Sequence, residues 1–135
     1  MREIAKNKPE LNHLTFIDGD MDTFPKPSFA IDTIVSSFVF HHLNTDEKTK
    51  VIQQYYDLLP SGGKIIFGDT MFLSEASHMK KITAALSENK PNLAEDLQRE
   101  FYPLIPDVEN YFANAGFTTR FIQMNSYVWI VEAKK

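Results

Sequence analysis

The sequence predicts an α/β fold, a mostly parallel sheet flanked by helices and finished by an antiparallel hairpin. Three observations carry this. Two runs rich in Ile, Val and Phe, residues 31–36 and 64–67, are separated by one amphipathic helical segment, the grammar of a βαβ unit with parallel strands. The first run is continuous in Ile and Val, as in a strand buried on both faces. Near the C-terminus, residues 117–124 and 127–133 are strand-like with only Asn125-Ser126 between them, which permits a hairpin and forbids a parallel crossover. In parallel sheets small molecules bind beyond the carboxyl ends of the strands, so residues 36–42 and 69–72 lie at the expected functional edge.

Each element has its own local reason. Residues 1–8 read as the end of a helix stopped by Pro9. Residues 14–17 (Leu-Thr-Phe-Ile) read as a short strand ended by the turn-forming Asp18-Gly19-Asp20, and Pro25 and Pro27 keep the next connection irregular. Asn44 with Glu47 three residues later is a capping-box start, and Val51, Ile52, Tyr55, Leu58 and Leu59 form the apolar stripe of the helix that follows. Pro60 and Gly62-Gly63 end it. Residues 74–89 predict a helix with Met79, Ile82, Ala85 and Leu86 inward. Asn92 with Glu95 opens another through Phe101. Residues 107–115 predict a third, with Val108, Tyr111, Phe112 and Ala115 inward and Gly116 as its left-handed cap. Tyr55, Tyr56, Phe101, Tyr102, Tyr111, Phe112 and Trp129 are expected in the core.

Composition bounds the function. The 135 residues suit one domain, 1–135, with 43% hydrophobic and 24% charged residues. A net charge of -4 and a pI near 5.5 argue against nucleic acid, which calls for a basic face. Without Cys there is no disulfide framework, zinc-thiolate site or thiol nucleophile. No apolar run approaches the ~20 residues of a membrane span, and no signal peptide is recognisable. The expectation is a soluble cytoplasmic protein that does not contact membranes.

Motifs in order sharpen this reading. Gly19-Asp20 ends a strand and Phe24-Pro25 follows. Asp32-Thr33-Ile34-Val35 opens the next strand. His41-His42-Leu43 precedes a helix, Leu59-Pro60-Ser61-Gly62-Gly63-Lys64 feeds a strand, and Gly116-Phe117 opens another. In this order and spacing the chain resembles the class I S-adenosylmethionine-dependent methyltransferases, with its closest look to small bacterial members. The resemblance covers nearly the whole chain. It implies a Rossmann-like sheet of order 3-2-1-4-5-7-6 with the first two strands missing. The family's Gly-rich loop is not found: the five Gly (Gly19, Gly62, Gly63, Gly68, Gly116) form neither G-x-G-x-G nor G-x-G-x-x-G. The expectation is an N-terminally truncated, partial domain that begins inside the helix after the second strand.

The resemblance also assigns roles. Asp20 would accept a hydrogen bond from the cofactor's adenine amino group, with the Met21 N–H facing the ring; otherwise Asp20 simply forms a turn. Ser36, Ser37 and Phe38 would flank the methionine moiety and the transferable methyl, or else pack a strand end. His41 and His42 are the candidate catalytic residues, general bases for the acceptor nucleophile because His titrates near neutrality, or else helix-start residues. Asp69, at a strand end, contacts substrate or caps the following loop. Residues 102–105 are expected to line an acceptor pocket. No metal is expected, because adjacent His diverge on a helix and no third ligand is evident in sequence.

The implied function is S-adenosylmethionine-dependent methyl transfer to a small-molecule acceptor. The alternative is a non-catalytic remnant or subunit that completes its sheet with another chain. A third reading, a different nucleotide-binding α/β protein, fits the terminal hairpin poorly. Stripped of its neighbour, the strand at 31–36 would be a free edge, covered either by residues 14–17 sliding beside it or by a second copy in a homodimer.

Overall fold

The computed structural model describes residues 1–135. Its helices are α1 (Arg2–Lys6), α2 (Thr45–Leu58), α3 (Glu75–Ser87), α4 (Pro91–Arg99) and α5 (Ile105–Ala115). Its strands are β1 (Thr33–Ser37), β2 (Lys64–Thr70), β3 (Thr118–Gln123) and β4 (Val128–Lys134). They form one sheet of order β1-β2-β4-β3. β1 and β2 run parallel, with Ile34 beside Ile65 and Ser36 beside Phe67. β4 is antiparallel to both β2 and β3. This is the order implied above for the last four strands of the class I methyltransferase sheet.

Side chains alternate across the sheet, so one face carries Ile65, Phe67 and Asp69 of β2 with Val131 and Ala133 of β4. Helices α2 and α5 cover it through Val51, Ile52, Tyr55, Val108 and Phe112, and these side chains join the sheet in one buried core. Burying each Val, Ile or Phe contributes about 1.5–3 kcal/mol. The N-terminus of α2 is fixed as expected: Asn44 accepts from the Glu47 N–H, and Glu47 accepts from the Asn44 N–H. Gly116 caps α5 at φ 111°, and a Cβ there would lie 2.9 Å from the Tyr56 ring.

Several expectations are corrected. Residues 14–17 form no strand. A strand is stable only when its N–H and C=O groups find a neighbouring ladder, and none reaches this segment. The free edge of β1 therefore stays unpaired within the chain, and the proposed slide of 14–17 into that place does not occur. α3 buries Ile82 and Ala85 but leaves Met79 and Leu86 each 57% exposed. It packs on α4, not on the sheet, and a two-helix contact buries only a narrow stripe, here Ile82 and Ala85 against Ala94 and Leu97 around Phe72. α4 begins at Pro91 without the Asn92–Glu95 box, and α5 begins at Ile105 with Pro106 in its first turn, a place where the missing N–H costs nothing. Phe101 is exposed, not core.

The opposite sheet face, carrying Val35, Ile66, Ile130 and Ile122, is left open, and Val35 is 71% exposed.

Candidate functional site

The carboxyl ends of β1 and β2 converge on a small polar cluster. After β1, Phe38 turns the chain with φ 56°, a left-handed conformation that a non-glycine residue holds only at a cost of order 1 kcal/mol. Its N–H donates to the Gly68 carbonyl at 2.9 Å, tying the turn to β2. A 3-10 turn, Phe40–His42, follows. Phe40 is driven into the core against Phe67, with ring centroids 5.2 Å apart, and this brings His41 over the end of β2.

Asp69, 1% exposed, receives His41 twice. The His41 backbone N–H donates to Oδ2 at 3.0 Å, and His41 Nδ1 lies 2.6 Å from Oδ1, which also accepts the Thr70 N–H at 2.7 Å. A carboxylate can only accept, so Nδ1 carries the proton and Nε2 is the basic nitrogen. Asp69 thus orients the imidazole and fixes its tautomer.

His42 sits beside it, ring centroids 4.1 Å apart, with its Nδ1 3.0 Å from Glu100 Oε2. This hydrogen bond holds the Glu100 carboxyl below its usual range. The Tyr102 ring lies 5.0 Å from His41, and burial, with the charges of Glu100, Asp96 and Asp69 behind it, raises its hydroxyl pKa. The segment bearing Glu100 and Tyr102 is docked by the Phe101 N–H, which donates to the His41 carbonyl at 3.1 Å. Lys48, 2% exposed, clamps the same segment by donating to the Leu43 and Phe101 carbonyls. Burial lowers its pKa to about 8 despite the opposing pull of Asp69 and Glu47. Beside the cluster a cleft is lined by Lys48, His78, Tyr102, Leu104, Asp107 and Tyr111.

The remaining expected site residues are placed as follows. Asp20 turns the chain by donating its N–H to the Thr23 carbonyl at 2.6 Å, and its exposed carboxylate has no partner in the chain. The Met21 N–H is likewise free, while its carbonyl accepts from the Tyr55 hydroxyl at 2.6 Å, fixing this turn to α2. Ser36 lies on the helix-covered face of β1, and Ser37 and Phe38 are exposed. No hydrogen bond links Asp20 or Met21 to Ser36, Ser37 or Phe38. The premise against a metal is corrected: the two imidazoles do not diverge, because they sit on a tight 3-10 turn, and Glu100 is a third donor at the same point.

Sequence reasoning missed Glu100, Lys48 and the pairing of Asp69 with His41. Glu100 lies 58 residues from His42, and nothing local marks it. Lys48 looks like one more solvated charge on a polar helix.

In sequence this chain is similar to methyltransferases, and in fold to solved enzymes of that kind. The methyltransferase-domain family matches residues 1–63. An uncharacterized methyltransferase of Anoxybacillus flavithermus is 47% identical over 135 residues, all of this chain and 63% of the relative. Another, of Bacillus pumilus, is 47% identical over 98% of this chain and 60% of the relative. The chain therefore spans about three-fifths of the length of these relatives. Human N-acetylserotonin methyltransferase, solved in complex with SAM, superposes with a TM-score of 0.65 at 19% identity, over 94% of this chain and 38% of that one, a likeness of fold. No helix is long and apolar enough to cross a membrane.

Proposed function

We propose that this chain forms the acceptor side of an S-adenosylmethionine-dependent methyltransferase acting on a small molecule in the cytoplasm. The observation that carries the reading is the His41–Asp69 pair at the carboxyl ends of two parallel strands, beside a cleft and a strained turn. The cofactor, when bound, supplies an electrophilic methyl group on a sulfonium and leaves as a neutral thioether. The protein's task is then mainly positioning, desolvation and removal of one proton. His41 Nε2 takes that proton from the acceptor nucleophile, and Asp69 holds the resulting imidazolium. His42 and Tyr102 border the acceptor.

The free Met21 N–H and unpartnered Asp20 carboxylate suit the adenine edge, and Ser36, Ser37 and Phe38 suit the methionine end. The Gly-rich cradle and ribose acid have no counterpart here, so the 135-residue chain alone is expected to bind cofactor weakly. Calorimetry with S-adenosylmethionine, run on this chain and on a form extended to the length of its relatives, tests this. Micromolar binding by the extended form and little by this chain supports the reading; no binding by either sinks it.

A second reading is favoured by the unpaired β1 edge and the exposed Val35: the chain completes its sheet by association, most simply as a homodimer.

A further inference from the structure

We propose that His41, His42 and Glu100 form a binding site for one divalent first-row transition ion of the zinc type. One ring nitrogen from each histidine and one carboxylate oxygen of Glu100 lie within 4.8 Å of one another. Ligands on a tetrahedral zinc ion with bonds of about 2.0–2.1 Å sit about 3.3 Å apart, so small side-chain rotations close the set. Two imidazoles and one carboxylate form a donor set common for zinc with an open position, which water or an acceptor heteroatom fills.

The surroundings are those of a built site. Asp69 holds Nδ1 of His41, which leaves Nε2 as the open nitrogen and supplies the outer carboxylate that typically orients a metal-bound histidine. Asp69 is itself fixed by two backbone N–H groups. The two ligand-bearing segments are fastened by the Phe101 N–H to His41 carbonyl bond and by the Lys48 clamp. Binding an ion replaces the hydrogen bond between His42 and Glu100. The positive charges facing the site are Arg99, 3.6 Å from Glu100, and Lys48; the Arg99 side chain is exposed and also pairs with Asp96, so it can withdraw. The inference does not rest on methyl transfer and competes with it for His41 Nε2, which serves either as base or as ligand; ion binding is read on the chain alone.

The test is calorimetric titration of metal-free protein with zinc chloride, with cobalt(II) absorption as a probe of coordination. One ion per chain and a cobalt spectrum of tetrahedral type are expected. His42→Ala should weaken binding about 100-fold, Glu100→Gln at least about 10-fold, and Asp69→Asn, acting through His41, about 10–100-fold. His13→Ala, away from the cluster, should leave it unchanged. His42 is exposed, so His42→Ala is expected to keep its fold, checked by circular dichroism. Absence of stoichiometric binding, or wild-type affinity in both His42→Ala and Glu100→Gln, overturns the site.

Discussion

The imidazole of His41 and the carboxylate of Asp69 meet 2.6 Å apart where the first two strands end, and the same carboxylate also accepts the backbone N–H of His41. One buried side chain therefore sets both the position of the 3-10 turn and the tautomer of the histidine it carries. Structure and chemistry are coupled at this point. If Asp69 is lost, the turn loses its anchor and the imidazole its fixed tautomer.

Asp69→Ala should accordingly destabilise the fold by about 2–4 kcal/mol, since three donors lose a charged acceptor in a buried place. Urea denaturation measures this. A loss under 1 kcal/mol would mean that water replaces the carboxylate without strain.

Lys48 gives a pH dependence with a definite sign. Its folded pKa is about 8, below the ordinary 10.5, because burial penalises the ammonium more than Asp69 and Glu47 help it. Below pH 8 the group is protonated folded and unfolded alike, so its contribution is flat. Between pH 8 and 10.5 the unfolded chain holds the proton that the folded chain has released, and stability rises with pH. The gain from pH 7.5 to 9.5 should be about 1–2 kcal/mol and should vanish in Lys48→Met. The window stops short of Tyr55, whose hydroxyl is raised to about 12 by burial and works in the opposite direction above pH 10. A denaturation midpoint that falls over this range, or rises equally in Lys48→Met, would contradict the assignment.

What the sequence made legible was local. The Asn44–Glu47 box, the Gly116 cap and the hairpin about Asn125-Ser126 each depend on residues a few positions apart, and each forms, the hairpin with a link of residues 124–127 where only Asn125-Ser126 was expected. Residues 14–17 have a strand's composition, yet strand formation is decided by a neighbour that composition does not report. The site divides in the same way. His41 and His42 stand out as a pair, but their partners Asp69 and Glu100 are 28 and 58 residues away and become neighbours only through the β1–β2 pairing and the docked segment after α4. Helix-face reading overstated α3, because contact with a single helix buries only a narrow stripe and leaves Met79 and Leu86 in solvent.

In a form extended to the length of its relatives, Asp20→Ala should weaken S-adenosylmethionine binding by about 1–3 kcal/mol while leaving stability nearly unchanged. The side chain is exposed and unpartnered, so it has no folding role to lose. Calorimetry showing unchanged affinity would remove Asp20 from the cofactor wall.

In the same form, His41→Ala and His42→Ala should lower turnover far more than cofactor affinity if the two act on the acceptor as proposed above. His41→Ala should also cost stability through Asp69, whereas His42→Ala should not. Rates and binding constants measured side by side separate these effects. Wild-type turnover in both variants would make the pair structural.

The last prediction concerns the sheet. β1 offers a row of unpaired backbone groups along its outer edge, and its Val35 stands on an open apolar face with Ile66, Ile130 and Ile122. Phe38, 53% exposed at the end of the strand, extends that surface. Nothing in Thr33–Ser37 defends the edge: there is no Lys, Pro or inward charge. The 135-residue chain should therefore self-associate at micromolar concentration. Val35→Lys should shift it toward monomer, since a charge on the contact face is desolvated by association, while folding is spared because the side chain is already in water. Light scattering across a dilution series decides the matter. A wild-type chain that stays monomeric at the highest concentration would leave the edge stable without a partner and defeat the homodimer.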